Sequence, residues 1–482
     1  MGGGDLSRDV RGLYINGHWE EGTRKVAVAD KYTGANLATL VGASAADVER
    51  AVAAARAAAA HPLPSRQRAA ILEAAAAALR DQADDWARLL VQEAGKPWKD
   101  ARAEVDRAVE TIALSARVAL TLHGETVPLD ASPGGVERAG FYVRVPVGVV
   151  VAITPFNFPL NLVCHKVAPA IAAGNAVVLK PATATPLSSV RLVELLAASG
   201  LPAGFLNLVV GTGAEVGDAL VRHPGVNFIT FTGSPPVGFA IKAASGRARV
   251  TLELGNNSGN IVHSDADLPT AANLLAQRAF SQAGQSCISV QRIYVQASVF
   301  DAFRELITTA SARLVVGNPL DPETDVGPLI SVAEAERVEA WVAEAAQGGA
   351  DVILGGHRTG SLMAPTLLTR VTPTMRVVSD EVFGPVAVLV PYDRFEEAVD
   401  LVNQSLYGLQ AGVFTRDVNR AWYAVRHLRV GGVIINDTSS YRADLMPYGG
   451  VGQSGQGREG PRFAVEEMTE IRMAVFNLES PT

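Results

Sequence analysis

At 482 residues, with 48% hydrophobic and 19% charged side chains, the chain carries enough apolar material for a large buried core, and dividing by about 150 residues per domain gives about three domains as a prior. That composition excludes a disordered or collagen-like chain. Its 42 Lys+Arg and 49 Asp+Glu leave a formal charge of −7, a mild acidic excess that argues against a nucleic-acid groove.

Two Cys cannot build a disulfide framework, so a reducing, cytoplasmic setting is expected and a thiol here can be chemical. The segment Met1–Arg8 has no charged-then-apolar targeting pattern. Residues 45–120 read as helical. Ser44 is placed to cap a helix entering Ala45-Ala46-Asp47-Val48-Glu49, and an Ala-rich stretch follows Pro64. Charges and Leu recur through the Ala tracts, as in small-residue helix packing rather than low complexity. Residues 124–145 and 467–482 alternate apolar and polar side chains, as in Phe141-Tyr142-Val143-Arg144-Val145 and Ile471-Arg472-Met473-Ala474-Val475. They fit an exposed antiparallel arm.

From Val147 the texture changes. The most apolar stretch, Val147 to Leu179, is broken by Pro155, Asn157, Pro159, Asn161, His165, Lys166 and Asn175, so it is not a membrane span. Short β-branched runs recur at Val149–Ile153, Ala176–Lys180, Leu206–Val210, Phe228–Phe231 and Val250–Leu254, with helical segments such as Leu187–Ala198 and Ala214–Arg222 between them. Unalternating runs suit strands covered on both faces, and this spacing marks βαβ units in a parallel, doubly wound sheet. A second α/β region spans residues 257–450, and its first helix is expected at Pro269–Ala283 with Gly284 ending it. The expected fold is therefore α/β. A doubly wound domain (1–123 and 146–256) is joined by a second α/β domain (257–450) and the antiparallel arm (124–145 and 467–482).

Several residues could carry chemistry. Gly211-Thr212-Gly213-Ala214-Glu215-Val216-Gly217 follows a strand and opens a helix with G-x-G-x-x-x-G spacing, one residue longer than the dinucleotide fingerprint. An ordinary tight turn explains that spacing as well. Gly233-Ser234-Pro235-Pro236-Val237-Gly238 offers a helix start suited to a pyrophosphate. Cys287 sits in a polar loop, Gly284-Gln285-Ser286-Cys287-Ile288-Ser289, unlike Cys164, which lies in an apolar run and reads as a core thiol. Glu253 stands between Leu252 and Leu254. A carboxyl there is either tuned as a general base or simply bonded to backbone amides. No metal-ligand spacing is visible.

In order along the chain come Thr154-Pro155-Phe156-Asn157-Phe158-Pro159, Lys180-Pro181, Phe231-Thr232-Gly233-Ser234, Leu252-Glu253-Leu254-Gly255, Gly284-Gln285-Ser286-Cys287 and Glu381-Val382-Phe383-Gly384-Pro385. Together they closely resemble the aldehyde dehydrogenase superfamily of NAD(P)-dependent enzymes, from Tyr14-Ile15-Asn16-Gly17 to Pro447-Tyr448-Gly449-Gly450. The resemblance implies an NAD(P)-binding domain, a catalytic domain carrying the Cys, and an oligomerisation arm, in a homodimer or homotetramer. It implies Cys287 as nucleophile, the Asn157 amide and the Cys287 N–H as oxyanion donors, and Glu253 as the base that hydrolyses the thioester. Cofactor contacts are implied at the first strand end (Thr154, Pro155, Phe156) and at Lys180, Ala182 and Thr183. Others are implied at Gly213, Gly217, Phe231, Gly233 and Ser234, and from Glu381 and Phe383. Phe158, Leu162, His165 and Ser286 would line the substrate tunnel.

The sequence departs from that pattern in places. Asn256 and Asn257 replace the usual Gly-Lys after Gly255, Pro235 replaces a Thr, and His165 stands where Trp is common. Thr183 lies where NAD-selective relatives carry a Glu, so use of both NAD and NADP is expected. The stretches Phe158–Leu162 and Cys287–Arg292 look most like members acting on lactaldehyde, sulfolactaldehyde and similar small hydroxyaldehydes. In such a tunnel Arg442 would grip an anionic substrate at the mouth, unless it is simply paired with Asp444 or solvated. Two rival readings are a coenzyme-A-acylating enzyme and a non-catalytic structural or binding member. The first generally lacks the Glu253 equivalent, and the second has no need of Cys287, Glu253 and Asn157 together.

Overall fold

The computed structural model describes residues 11–478, so the segment Met1–Arg8 and the last four residues assigned to the arm lie outside the described residues. Five parallel strands form the centre of the first sheet, in the spatial order Leu206–Val209, Ala176–Lys180, Val149–Ile153, Phe228–Thr232, Arg249–Glu253. Every residue of Val149–Ile153, Ala176–Lys180 and Phe228–Thr232 is buried, which is why these runs are apolar without alternation. The chain steps outward from Val149–Ile153 on one side, then returns to Phe228–Thr232 on the other. This reversal puts a topological switch point between those two strands, where α/β sheets bind ligands beyond the strand carboxyl ends. Leu13–Ile15 and Gly455–Gln456 add antiparallel strands on the two sides of the parallel set.

Helices cover this sheet. Ala45–Ala59 starts with a capping box: the Ser44 hydroxyl accepts the Asp47 N–H at 3.3 Å and the Asp47 carboxylate accepts the Ser44 N–H at 2.8 Å. Ser65–Asp81 and Trp98–Thr121 pack on each other and on Asn161–Ala173. One hydrophobic core runs through residues 13–254 and takes in Val465 and Met468 near the C-terminus.

The second sheet has seven strands, ordered Asp351–Leu354, Thr366–Thr369, Val386–Tyr392, Arg292–Gln296, Gly259–Val262, Gln410–Phe414, Gly432–Ile435. All pair in parallel except the edge strand Asp351–Leu354. It has its own core, centred on Phe280, Phe303, Val338 and Val388. The helix expected at Pro269–Ala283 spans Leu268–Phe280 and stops earlier. Gln282 (φ 51°) and Ala283 (φ 54°) leave the helical region before Gly284 is reached, so the terminator is a strained turn and not one glycine. In the arm, Arg138–Pro146 pairs along its whole length with Thr469–Asn477 and carries the short strand Thr126–Val127 on its other side. No helix among the described residues is long and apolar enough to cross a membrane.

One buried ion pair fixes the loop that leaves the central strand. Glu104, on Trp98–Thr121, accepts the N–H groups of Leu160 (2.9 Å) and Asn161 (3.0 Å) and pairs with Lys96. It supplies the anionic cap that Leu160 cannot give helix Asn161–Ala173. Both charged side chains are fully buried, so removing one partner strands the other. Glu104→Ala should lose about 3–5 kcal/mol in urea unfolding, against under about 0.5 kcal/mol for exposed Glu73→Ala. A loss below about 1 kcal/mol for Glu104→Ala would show that the pair does not anchor this loop.

Candidate active site

The strained turn at the end of Leu268–Phe280 delivers Cys287. Gly284 adopts φ 69°, and a Cβ there would collide with the carbonyl of Gly384. The turn is held from the first domain: Asp100 accepts the Ser281 hydroxyl (3.1 Å) and the Gln282 N–H (3.0 Å), and the Gln282 side-chain amide donates to the Asn157 carbonyl. The Asn157 side-chain amide in turn donates to the Gln285 carbonyl at 3.0 Å. Asn157 and the Cys287 loop are therefore clamped together across the two sheets. The N–H groups beside Cys287 are engaged, Ser286 with Gly284 O and Ile288 with Ser286 Oγ, while the Cys287 N–H meets no acceptor among the described residues. The Cys287 thiol lies 3.1 Å from the Tyr448 hydroxyl. Burial pushes the thiol up to about 12, with Glu381 and Glu253 adding to the rise while Tyr448 and Arg442 oppose it.

Glu253 ends strand Arg249–Glu253 at 3% exposure, and neither carboxyl oxygen has a partner among the described residues. The backbone-bonded alternative is thus overturned. The carboxyl reaches space that only glycine leaves open, since a Cβ on Gly449 would lie 2.8 Å from Glu253 Oε1. Burial first, then the negative charge of Glu459, raises Glu253 well above the usual carboxylate range. Glu459 is equally buried, but the Lys166 ammonium at 2.5 Å and the Arg442 guanidinium at 3.2 Å overcome that penalty and hold it low. Two neighbouring carboxyls are driven apart, one toward the acid and one toward the anion, as acid–base sites require.

The residues implied for the cofactor gather at the switch point. Thr154, Pro155 and Phe156 follow strand Val149–Ile153, while Gly233 and Ser234 follow Phe228–Thr232, whose fourth residue is Phe231. Lys180, Ala182 and Thr183 come from the next strand end, and Gly213–Gly217 forms a single wide turn leading into Asp218–Arg222. A Cβ on Gly217 would sit 3.8 Å from the Lys180 side chain, so that turn and the lysine face each other. Burial lowers the Lys180 ammonium to about 8. The hydroxyls of Thr154 and Thr232 are buried without partners, and the Ser234 side chain leaves the first turn of helix Pro235–Ala244 uncapped. Unfilled donors around an open helix start are what a pyrophosphate and ribose need. Glu381 accepts the Asn256 N–H at 2.9 Å and is raised by burial to about 7. Phe383, at φ 49°, meets Phe156 edge-on at 5.8 Å.

The substituted pair Asn256-Asn257 is built into this frame. Asn256 bonds Ser258 Oγ at 2.6 Å, while Asn257 donates to the carbonyls of Val378 and Ser379 and accepts from Ser405.

The substrate-side expectations fare unevenly. Phe158 is half-buried under the Lys96 ammonium (4.2 Å), Leu162 is buried, and Ser286 is half-buried beside Cys287. His165 does not present its ring to the tunnel: the side chain has no exposure and bonds Asp444 at 2.8 Å and Thr111 at 3.4 Å. Burial, with the Arg442 charge adding to it, lowers its proton affinity below that of an ordinary imidazole, while Asp444 opposes the shift. Arg442 is neither at an open mouth nor paired with Asp444. Its side chain is 5% exposed, bonded to Glu459, and stacked 3.6 Å over the Tyr448 ring. Its Nε is buried without a partner. Asp444 instead collects Arg107 (3.0 and 2.7 Å), Asn161 and His165. From the sequence, Tyr448, Lys166 and Glu459 receive no role and Asp444 appears only as an alternative partner of Arg442, although a Lys interrupting an apolar stretch and a Tyr in Pro447-Tyr448-Gly449-Gly450 are visible signals.

A turn carrying Cys287 is clamped to the Asn157 loop beside a raised Glu253 at the carboxyl end of the first sheet, and sequence comparison gives the class: residues 19–474 match the aldehyde dehydrogenase family. The chain belongs to that family. It is 50% identical over 467 residues to 3-sulfolactaldehyde dehydrogenase of Priestia megaterium, covering 97% of this chain and 98% of the relative. It is 42% identical over 419 residues to lactaldehyde dehydrogenase of Methanocaldococcus jannaschii, covering 86% and 89%. The NADP-dependent glyceraldehyde-3-phosphate dehydrogenase from Bacillus halodurans, solved with NADP, superposes with a TM-score of 0.95 at 38% identity, covering 98% of this chain and all of that one.

The Glu381 carboxyl generates a pH test. Held at about 7 against 4.5 for the free side chain, it keeps in the folded state a proton that the unfolded chain releases. Folding stability therefore falls as pH rises through that window. Relative to Glu381→Gln, the protein should lose about 1–3 kcal/mol between pH 5 and 7.5 in urea titrations. A difference that stays flat or grows with pH would show Glu381 to be an ordinary carboxylate.

Proposed function

We propose that the chain oxidises a small hydroxyaldehyde, such as lactaldehyde or sulfolactaldehyde, to the carboxylic acid, using NAD or NADP. The observation that carries the chemistry is the Cys287 thiol enclosed with a partnerless, raised Glu253 and the Asn157 loop. Cys287 attacks the aldehyde carbon; the spare N–H of the Asn157 amide and the Cys287 N–H take the developing oxyanion. When bound, the nicotinamide dinucleotide supplies the hydride acceptor that turns the thiohemiacetal into a thioester. Glu253 then deprotonates the water that hydrolyses it, and its high proton affinity suits a base working near neutral pH.

The switch-point residues fit that dinucleotide. The buried hydroxyls of Thr154 and Thr232 and the uncapped turn at Ser234 are donors in search of acceptors, and the Lys180 ammonium and Glu381 carboxyl, bonded to the Pro181 carbonyl and the Asn256 N–H, would take the ribose hydroxyls. Thr183 donates to Gly211 O at 2.9 Å and brings no carboxylate to repel a 2′-phosphate, which supports use of both cofactors.

Substrate choice rests on the relatives and on Arg442, whose unpaired Nε is one buried donor left for an anionic or hydroxylated substrate. The arm supports a homo-oligomer: Thr469–Asn477 is an edge strand whose Ile471, Met473, Val475 and Phe476 are exposed, an apolar surface that a second copy would cover.

A panel of lactaldehyde, sulfolactaldehyde and propanal, each with NAD and NADP, tests the reading. Cys287→Ala should abolish turnover of all three. Arg442→Ala, which also removes a partner of Glu459 and the cation over Tyr448, should lower kcat/KM for all three aldehydes, with about 2–4 kcal/mol more lost on sulfolactaldehyde than on propanal, the scale of a desolvated charge contact. Equal losses on both would make Arg442 purely structural. A preference for NAD above roughly a hundredfold, about 2.7 kcal/mol, would contradict dual use.

A further inference from the structure

The Tyr448 hydroxyl has no role in the scheme above, yet it lies 3.1 Å from the nucleophilic sulfur. Its placement is fixed on several sides. The ring packs in a small apolar cluster with Ile288, Leu409 and Met446. Its backbone pairs with Glu459, N–H to carbonyl at 3.1 Å and the reverse at 2.6 Å. The loop before it is latched to the residue after the nucleophile, since the hydroxyls of Ser439 (3.2 Å) and Ser440 (2.8 Å) both donate to the Ile288 carbonyl. Above the ring lies the Arg442 guanidinium, itself held by Glu459.

We propose that Tyr448 is a positioning residue for the nucleophile: its O–H donates a hydrogen bond to the Cys287 thiolate, both when the free thiolate forms and when it is expelled from the thioester. The inference rests on the reading of Cys287 as the nucleophile. With the thiol protonated, either partner can donate; once the S–H proton has left to water, only the phenol has a hydrogen to give. The O–H bond itself stays intact, so the step transfers no proton between the two groups. The charged and titratable groups facing the pair are few. Arg442 stabilises negative charge at both the sulfur and the phenol, whereas Glu253 opposes charge at both and Glu381 opposes it at the sulfur. Burial and the adjacent sulfur raise the phenol well above its ordinary value, which favours the protonated form that can donate. Tyr448 is thus a short, charge-assisted contact at a site with no other hydrogen-bond donor to the sulfur among the described residues.

Tyr448→Phe keeps the ring, its packing and its face toward Arg442, and removes one oxygen. The readout is the rate of Cys287 alkylation by iodoacetamide in the full-length chain without cofactor, followed by mass spectrometry of the Cys287 peptide so that buried Cys164 does not contribute. Losing a hydrogen bond to a charged acceptor raises a thiol by about one to two pH units, and the more basic thiolate regains part of that in nucleophilicity. The expected result at pH 8.5 is alkylation about four- to tenfold slower, with kcat/KM for propanal falling in parallel and KM little changed. Met446→Leu, which disturbs the same cluster but leaves the hydroxyl, should alkylate at the wild-type rate. A loss of less than threefold in Tyr448→Phe, or an equal loss in Met446→Leu, overturns the proposal. The underlying reading fails separately, through dehydrogenase activity surviving in Cys287→Ala.

Discussion

The arrangement depends on one buried carboxylate, Glu459, held between the Lys166 ammonium and the Arg442 guanidinium. An isolated charge at that depth would be prohibitively costly, and two cations repay the desolvation only with close geometry. The triad therefore pins three separate pieces of chain to one point: helix Asn161–Ala173 through Lys166, the loop before Tyr448 through Arg442, and the turn from Gly455–Gln456 into helix Pro461–Glu467 through Glu459 itself. Each piece carries part of the site. Lys166 also donates to Thr230 in the strand beside Glu253, Arg442 covers Tyr448, and the negative charge of Glu459 adds to the rise in proton affinity at Glu253.

The same economy explains where the backbone is strained. Gln282, Ala283 and Phe383 occupy left-handed conformations that cost about 1–3 kcal/mol each. All three lie in the segments that bring Cys287 and the ribose-side residues against the first sheet. Asp100 bonding to the turn and the reciprocal Asn157–Gln285 and Gln282–Asn157 contacts hold those segments in place. Three of the six non-glycine residues with left-handed φ among the described residues thus lie where the two sheets' segments meet at Cys287, the others being Asn16, Arg370 and Asn436.

Much of this was legible in the sequence. The strands of the first sheet announce themselves as unbroken β-branched runs because both faces are covered, and Ser44 is legible as a helix cap, while its reciprocal bond with Asp47 emerges only in the structure. Cys287, Glu253 and Asn157 stand in motifs whose order is specific. What stayed hidden was pairwise and long-range. Lys166 and Glu459 are 293 positions apart, and no local pattern says that an apolar helix buries an ammonium against a carboxylate near the other end of the chain. Arg442 reads from the sequence as a cation beside Asp444, but Asp444 is claimed by Arg107 and His165, and the true partner, Glu459, lies outside the local pattern. The early end of helix Leu268–Phe280 was missed because its cause, the clamp from Asp100 and Asn157, is tertiary.

The central claim is that Glu253 resolves an acyl group carried on Cys287. The most direct measurement is acid-quenched mass spectrometry of Glu253→Gln after mixing with NADP and lactaldehyde. One acyl group per chain is expected, located on the Cys287 peptide, formed with one equivalent of reduced cofactor and persisting while the wild type shows none. Rapid, unlimited turnover by Glu253→Gln without any acylated Cys287 would contradict it.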